Sequence, residues 1–544
     1  MVSKNRSMTG EEEKIMKNLF TSVAFLLAAL SMQAKEYSGN LNIFVADMGN
    51  LNVNQNTTIT VNQQTDGKYE LIIKNFYFEA GSSAMNVGTI HVTDVEGKKT
   101  GDITKLAFDG ETIIQPNEDS TGELQGVPVA INLNALLNGN DLGANITINA
   151  LGMDIKVDFT PAGTYIQNFD FEKFHTATYT AYGKDYTSEE ANHWHSFTSA
   201  KAGFGLGTAR QQKQSFMSED VRENSYSTKC LLIKSALPFN VPANGTVTTG
   251  RLNAGSAKPS ATSNHAFLDI SNTDVDDNGD PFYALFTAKP DAIEFWTRFK
   301  QGQDNLSYKF ASLRAVITDG SYYQDPEDKT YSNIVAVAAN KTIEGTDVWQ
   351  KVTADFDYDS YKPKEDENKE IKVINPKAIL VTISTNAEPG VASKDANNPD
   401  YIYIDDLSLI YNANLKSLKL NKNDLFETGK TEYTTNANGV VNLSDIEVES
   451  DGNGAYINKT LEKVADGIKV TITITSNDLK KQNVYTLNIK GATTTGINKP
   501  QTVTLPNGIN AIYNLAGQQV SSMTSGNVYI VKTTDGKTKK VVKK

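Results

Sequence analysis

Short stretches in which apolar and polar side chains alternate recur along almost the whole chain. A period of two places every second side chain on one face, so such stretches predict β-strands. Between residues 35 and 160 the clearest are 58–61, 69–73 and 145–149, with Ile, Val or Leu at the alternate positions. Asp66-Gly67 separates the first two and is the dipeptide a tight hairpin uses to reach positive φ. No helical periodicity of useful length interrupts the pattern. Antiparallel strands at this spacing bury one face by closing on themselves, so 35–160 is predicted to be an N-terminal β-barrel.

Pro161-Ala162-Gly163 ends this region, and alternation resumes at 169–172, 230–233, 293–299, 352–356, 378–384 and 401–409. These segments assign 161–412 to a second strand-rich domain. A smaller β unit spans 413–490, opening with Leu415 and Leu418 and closing with Tyr485 to Ile489; the threonine-rich 491–502 reads as a linker, and 503–544 as a short C-terminal β domain. The fold class expected is all-β throughout.

The apolar run 19–30, preceded by Lys17 and followed by Ser31-Met32-Gln33-Ala34, has the length and flanks of a secretory signal peptide, assigned to 1–34. It is too short for a stable bilayer span, so no transmembrane segment is expected after cleavage. Glu11-Glu12-Glu13 fits a signal peptide poorly, which suggests that translation starts at Met16. Export to the periplasm, the outer surface or the medium is the expectation.

Lys and Arg total 52 against 64 Asp and Glu, a net charge of -12, and no basic stripe is available to neutralise phosphates. Nucleic acid is excluded as a partner on that ground. The one cysteine, Cys230, cannot form an internal disulfide and lies in an apolar strand, where it reads as a small core residue.

Tyr37 to Leu41, Ile59 to Val61 and Gly67 to Phe76 resemble the calycin-like β-barrel domains at the N-termini of exported proteins from polysaccharide-degrading Gram-negative bacteria. Such barrels hold an apolar ligand or are filled by their own side chains. Phe169-Asp170-Phe171-Glu172, the Trp296 strand and the final Tyr401-Ile402-Tyr403-Ile404-Asp405-Asp406 together resemble the putative carbohydrate metabolism domain, a jelly-roll sandwich akin to carbohydrate-binding modules. The unit at 413–490 is similar to small cadherin-like or immunoglobulin-like sandwiches. The tail, with Val528-Tyr529-Ile530-Val531, resembles the sorting domain of type IX secretion, although Asn527 stands where that family has Gly.

The jelly-roll resemblance implies a structural calcium held by Glu172 and Asp405, with Asp406 alongside. The alternative reading is a set of solvated acids at strand ends. His193-Trp194-His195 would place two imidazoles on one face of a strand, short of a complete zinc set, and no His-Glu-x-x-His motif exists. Asp274 to Asp280 begins like a calcium loop, but Leu285 stands where the twelfth-position acid belongs, so a polar hairpin loop is expected. Sugar stacking is assigned to Tyr322, Tyr323 and Trp194, and Trp296 is expected in the core. No nucleophile elbow, phosphate loop or selected carboxylate pair marks a catalytic centre. The function expected is that of an exported, non-catalytic glycan-binding accessory protein, with polysaccharide or glycoconjugate as partner. The alternatives are a polysaccharide-active hydrolase and a structural or adhesive surface protein.

Overall fold

The computed structural model describes residues 34–45, 51–80, 83–203, 205–303, 308–362 and 373–494, with four further strands between 509 and 542. The apolar run at 19–30 and the segment 495–508 lie outside the described residues. Among the described residues no helix is long and apolar enough to cross a membrane.

Eight antiparallel strands form the N-terminal barrel: β1 (Lys35–Val45), β2 (Leu51–Gln63), β3 (Tyr69–Ala80), β4 (Ser83–Thr100), β5 (Ile103–Ile113), β6 (Pro128–Asn138), β7 (Asp141–Ala150) and β8 (Met153–Pro161). Closure is made by β1, which pairs Leu41 with Gln55 of β2 and with Phe159 of β8. The alternation seen in the sequence becomes inside and outside. Leu41, Ile59, Leu71, Leu106, Leu133 and Phe159 are buried in a continuous apolar cluster, the filled interior expected of a small barrel. Gly39 is required at the seam, because a Cβ there would lie 2.3 Å from the Thr160 carbonyl oxygen.

Two sheets then face each other in a sandwich. One runs in the order Ser215–Ser218, Cys230–Lys234, Tyr401–Ile410, Ala292–Lys300, Gln350–Asp355; the other in the order Thr246–Thr248, Ala378–Ser384, Ala311–Thr318, Ile334–Ile343, with Ala284–Leu285 also on Ala378–Ser384. Phe295, Phe299 and Ile404 of the first meet Leu313, Ile317 and Ile383 of the second in one buried core. Beside them lie a hairpin of Phe174–Ala181 with Lys184–Ala191, and a sheet ordered Lys201–Ala202, Arg251–Ala254, Asn264–Leu268, Tyr323–Asp325.

Two sequence expectations change here. Phe169 to Glu172 is not a strand: Asn168 and Phe171 each have φ of +50°, so the segment turns instead of extending. Its alternating composition reflects Phe171 entering the core while Asp170 points away. Trp296 is not core either. Along Ala292–Lys300, Ile293, Phe295, Thr297 and Phe299 face inward, and Trp296 lies on the outer face with the Arg222 guanidinium 4.4 Å from its ring centre.

The remaining strands form two small sheets, ordered Asn423–Asp424, Leu415–Leu420, Ile446–Ser450 and Glu432–Val440, Gln482–Thr493, Gly467–Thr475, Tyr456–Val464. Glu432–Val440 runs parallel to Gln482–Thr493. Four strands of the tail form a separate antiparallel sheet, in which Val528–Thr533 lies between Ile509–Tyr513 and Thr538–Val542.

Candidate functional site

The outer face of the second sandwich sheet and the adjoining small sheet enclose a cleft of about 440 Å³. Its apolar wall includes Phe197, Leu206, Pro238 and Phe239; its polar wall includes Asn253, His265, Arg314, Asp325, Lys341 and Asn386. An apolar lining with a few convergent polar groups, at this volume, is the composition of a ligand site. Phe239 is 58% exposed and has φ of +53°, followed by Asn240 at +60°. Holding a large side chain in the left-handed region costs free energy, and so does leaving its ring in water. Both costs fall on a residue at the lip of the cleft.

Arg314 enters from Ala311–Thr318 and Asp325 from Tyr323–Asp325. Their ion pair measures 2.9 Å, and Arg314 Nη2 also donates to Glu327 Oε1 at 3.2 Å. Burial raises the Asp325 carboxyl above the ordinary range, Arg314 works against this, and Glu327 adds to it.

Tyr323 is fully buried and cannot present a ring face to a sugar, contrary to the sequence expectation. Its hydroxyl donates to Glu327 Oε1 at 3.2 Å and lies 3.4 Å from Arg314 Nη2, so it supports the ion pair from below. Trp194 is likewise fully buried: its ring packs 5.2 Å from that of Phe171 and its Nε1 donates to the Gln167 carbonyl at 3.2 Å. It is an anchor and not a platform. Tyr322 is 39% exposed, against Phe267, and is absent from the cleft wall.

The structure brings Glu172, Asp405 and Asp406 into one neighbourhood. A register shift between Glu294 and Trp296 and a φ of +47° at Asp406 mark a bulge, which lets adjacent acids share a partner. Ser227 Oγ lies 3.2 Å from Asp405 Oδ1 and 3.1 Å from Asp406 Oδ1. Asp406 also accepts from Arg222 at 2.9 Å, and Glu172 Oε1 accepts from the Thr228 N–H at 2.6 Å. Asp405 is fully buried and its Oδ2 has no hydrogen-bond partner. Burial, then the charge of Asp406, pushes its carboxyl up to about 8. Glu172 and Asp406 already have partners of their own, which leaves the buried Asp405 Oδ2 without one.

His193 and His195 do not share a strand face, because His193 sits in a turn with φ of +66°. The loop at 274–280 closes as a polar turn through the Val275 to Pro281 bridge. Together these segments and the neighbouring hairpin gather His175, Asp276 and Asp280, each offering an atom within 4.8 Å of the other two. His195 Nε2 lies 3.3 Å from Asp276 Oδ2.

Residues 34–164 match the calycin-like beta-barrel domain family. No curated protein matches the chain. Among solved structures it is similar to a putative glycoside hydrolase from Bacteroides vulgatus ATCC 8482, at 17% identity and TM-score 0.28, covering 44% of this chain and 96% of that one. It is also similar to a putative glycoside hydrolase from Bacteroides thetaiotaomicron VPI-5482, at 14% identity and TM-score 0.29, covering 63% of this chain and 97% of that one.

The calycin-like barrel meets the sandwich close to the carboxylates. Asn54 Nδ2 donates to Asp170 Oδ2 at 2.9 Å, and the Ala162 N–H donates to the Ser38 carbonyl at 3.0 Å. Burial raises the Asp170 carboxyl, Asn54 opposes this, and Glu172 adds to it. Sequence reasoning missed the cleft residues. Two signals were present: an arginine inside the apolar run Ala311–Thr318, and an aromatic between Pro238 and Asn240.

Proposed function

We propose that the chain is an exported glycan-binding accessory protein whose recognition site is the cleft between Phe239 and Arg314. The observation that carries the reading is an exposed aromatic ring, held at a costly backbone angle, that lines the same cleft as several hydrogen-bonding groups. A pyranose offers a flat C–H face and a rim of hydroxyls. Phe239 suits the face; Arg314, Asp325, Asn253 and Lys341 suit the hydroxyls. Calcium at Asp405, with Glu172 and Asp406 nearby, would serve as a structural ion that holds the end of the sandwich and leaves the cleft unchanged.

Hydrolysis is the second reading, favoured by two carboxylates, Asp325 and Glu327, that share Arg314 beside the cleft. A glycan array probed with the full chain, followed by assay of each hit for new reducing ends, separates the two. Binding without release supports recognition, release supports hydrolysis, and neither supports a structural or adhesive role.

A further inference from the structure

We infer that His175, Asp276 and Asp280 form a second metal centre, distinct from the carboxylates at Asp405, that takes one divalent transition ion of the zinc or manganese type. The three residues come from two separate stretches: His175 from the hairpin strand Phe174–Ala181, and both acids from the turn bridged by Val275 and Pro281. All three bring ligand atoms within 4.8 Å of one another.

Orphaned atoms point to the missing partner. His175 Nε2 and Asp276 Oδ2 are buried without a hydrogen-bond partner, although they lie 3.4 Å apart. The cause is legible in the outer contacts. His175 Nδ1 lies 3.2 Å from Asn192 Oδ1; in the tautomer that donates to this oxygen, Nε2 presents its lone pair. That lone pair faces a carboxylate oxygen. Two lone pairs directed into one buried space repel unless a proton or a metal cation sits between them. An imidazole fixed through Nδ1 with Nε2 turned inward is the arrangement of a metal ligand.

Asp276 is oriented toward the same space, and Asp280 stands beside it with Oδ1 3.1 Å from His193 Nδ1. Asp276 Oδ1 accepts the N–H groups of Asn278 at 2.9 Å and Asp280 at 2.8 Å, leaving Oδ2 for the centre. Asp280 Oδ2 accepts from the His193 N–H at 2.9 Å and from Asn278 Nδ2 at 2.9 Å. Buried His195, 3.3 Å from Asp276 Oδ2, closes the other side. Ligand atoms at about 2.0–2.1 Å from a tetrahedral zinc stand roughly 3.4 Å apart, the spacing of His175 Nε2 and Asp276 Oδ2. Two carboxylates and a neutral imidazole balance a dication, and the nitrogen ligand favours zinc or manganese over calcium, which wants six to eight oxygens. Burial assigns the ion a structural role, tying the hairpin to the turn.

The test uses the full chain, stripped with chelator and then kept in excess calcium so that the Asp405 site is not the one read. Cobalt(II) should bind at one equivalent with visible absorption that zinc abolishes, and zinc should raise the melting temperature. His175→Gln should lose both effects. Asn192→Ala should weaken binding about tenfold or more, the scale of an outer-contact loss, and Glu172→Gln should leave it unchanged. A stripped wild-type protein with native circular dichroism that shows neither cobalt absorption nor a zinc-dependent shift overturns the proposal. So does wild-type cobalt affinity in His175→Gln. Should that variant fail to fold, the wild-type titration and Asn192→Ala still decide.

Discussion

The backbone N–H of Leu407 donates to the carbonyl of Phe169 across 2.9 Å, so the last strand of the sandwich is fastened to the turn that opens it. This contact carries Asp405 and Asp406 to the neighbourhood of Glu172, and Asp405 is left with an unpartnered buried oxygen. Calcium should therefore raise the melting temperature of chelator-stripped protein, by mass action on the folded state alone. Asp405→Asn should abolish the response to calcium while keeping the response to zinc. An unchanged melting curve on calcium addition would remove calcium from the account.

The same carboxyl supplies a pH signature. Asp405 is raised to about 8 in the fold against about 3.9 unfolded. The folded state therefore holds the extra proton between those values, and its contribution to stability falls as pH rises through that window. Without calcium, the melting temperature of wild type should drop relative to Asp405→Asn between about pH 5 and pH 8. A constant difference would show that Asp405 titrates normally.

Strands were legible in the sequence because alternation is a local property: 378–384 and 401–409 fall on Ala378–Ser384 and Tyr401–Ile410. Which face meets the core is not local, and Trp296 shows it. Its strand carries aromatics on both faces, and only packing against the second sheet decides that Phe295 and Phe299 go in. Phe169 to Glu172 has strand composition, yet its backbone is set by contacts with distant residues. The assembly of the cleft and the joining of His175 to the loop acids were not legible, for a related reason. Phe239, Arg314 and Asp325, like His175 and Asp276, meet only through topology, and their spacing in sequence matches no motif.

Trp194 and Tyr322 should separate cleanly in stability measurements. Replacing fully buried Trp194 by alanine leaves a cavity and an unpaired Gln167 carbonyl, at a cost of about 3–5 kcal/mol. Tyr322→Ala, at an exposed position, should stay within about 0.5 kcal/mol of wild type. Denaturant melts of both variants check this; a large loss in Tyr322→Ala would mean that its packing on Phe267 matters to the fold.

Cys230 should be inert in the native protein. It is fully buried, and burial followed by the nearby Asp405 charge raises its thiol to about 12. At pH 8 a maleimide should label it only after denaturant is added. Rapid labelling of the native chain would show that the strand Cys230–Lys234 opens readily.

The central claim is that the cleft binds glycan, and calorimetric titration of the full chain with its strongest array hit tests it most directly. Phe239→Ala should weaken binding by about 1–3 kcal/mol through loss of the stacking face, and Arg314→Ala by a similar amount, while Tyr322→Ala binds as wild type. Unaltered affinity in both Phe239→Ala and Arg314→Ala, with both variants folded, would contradict the account.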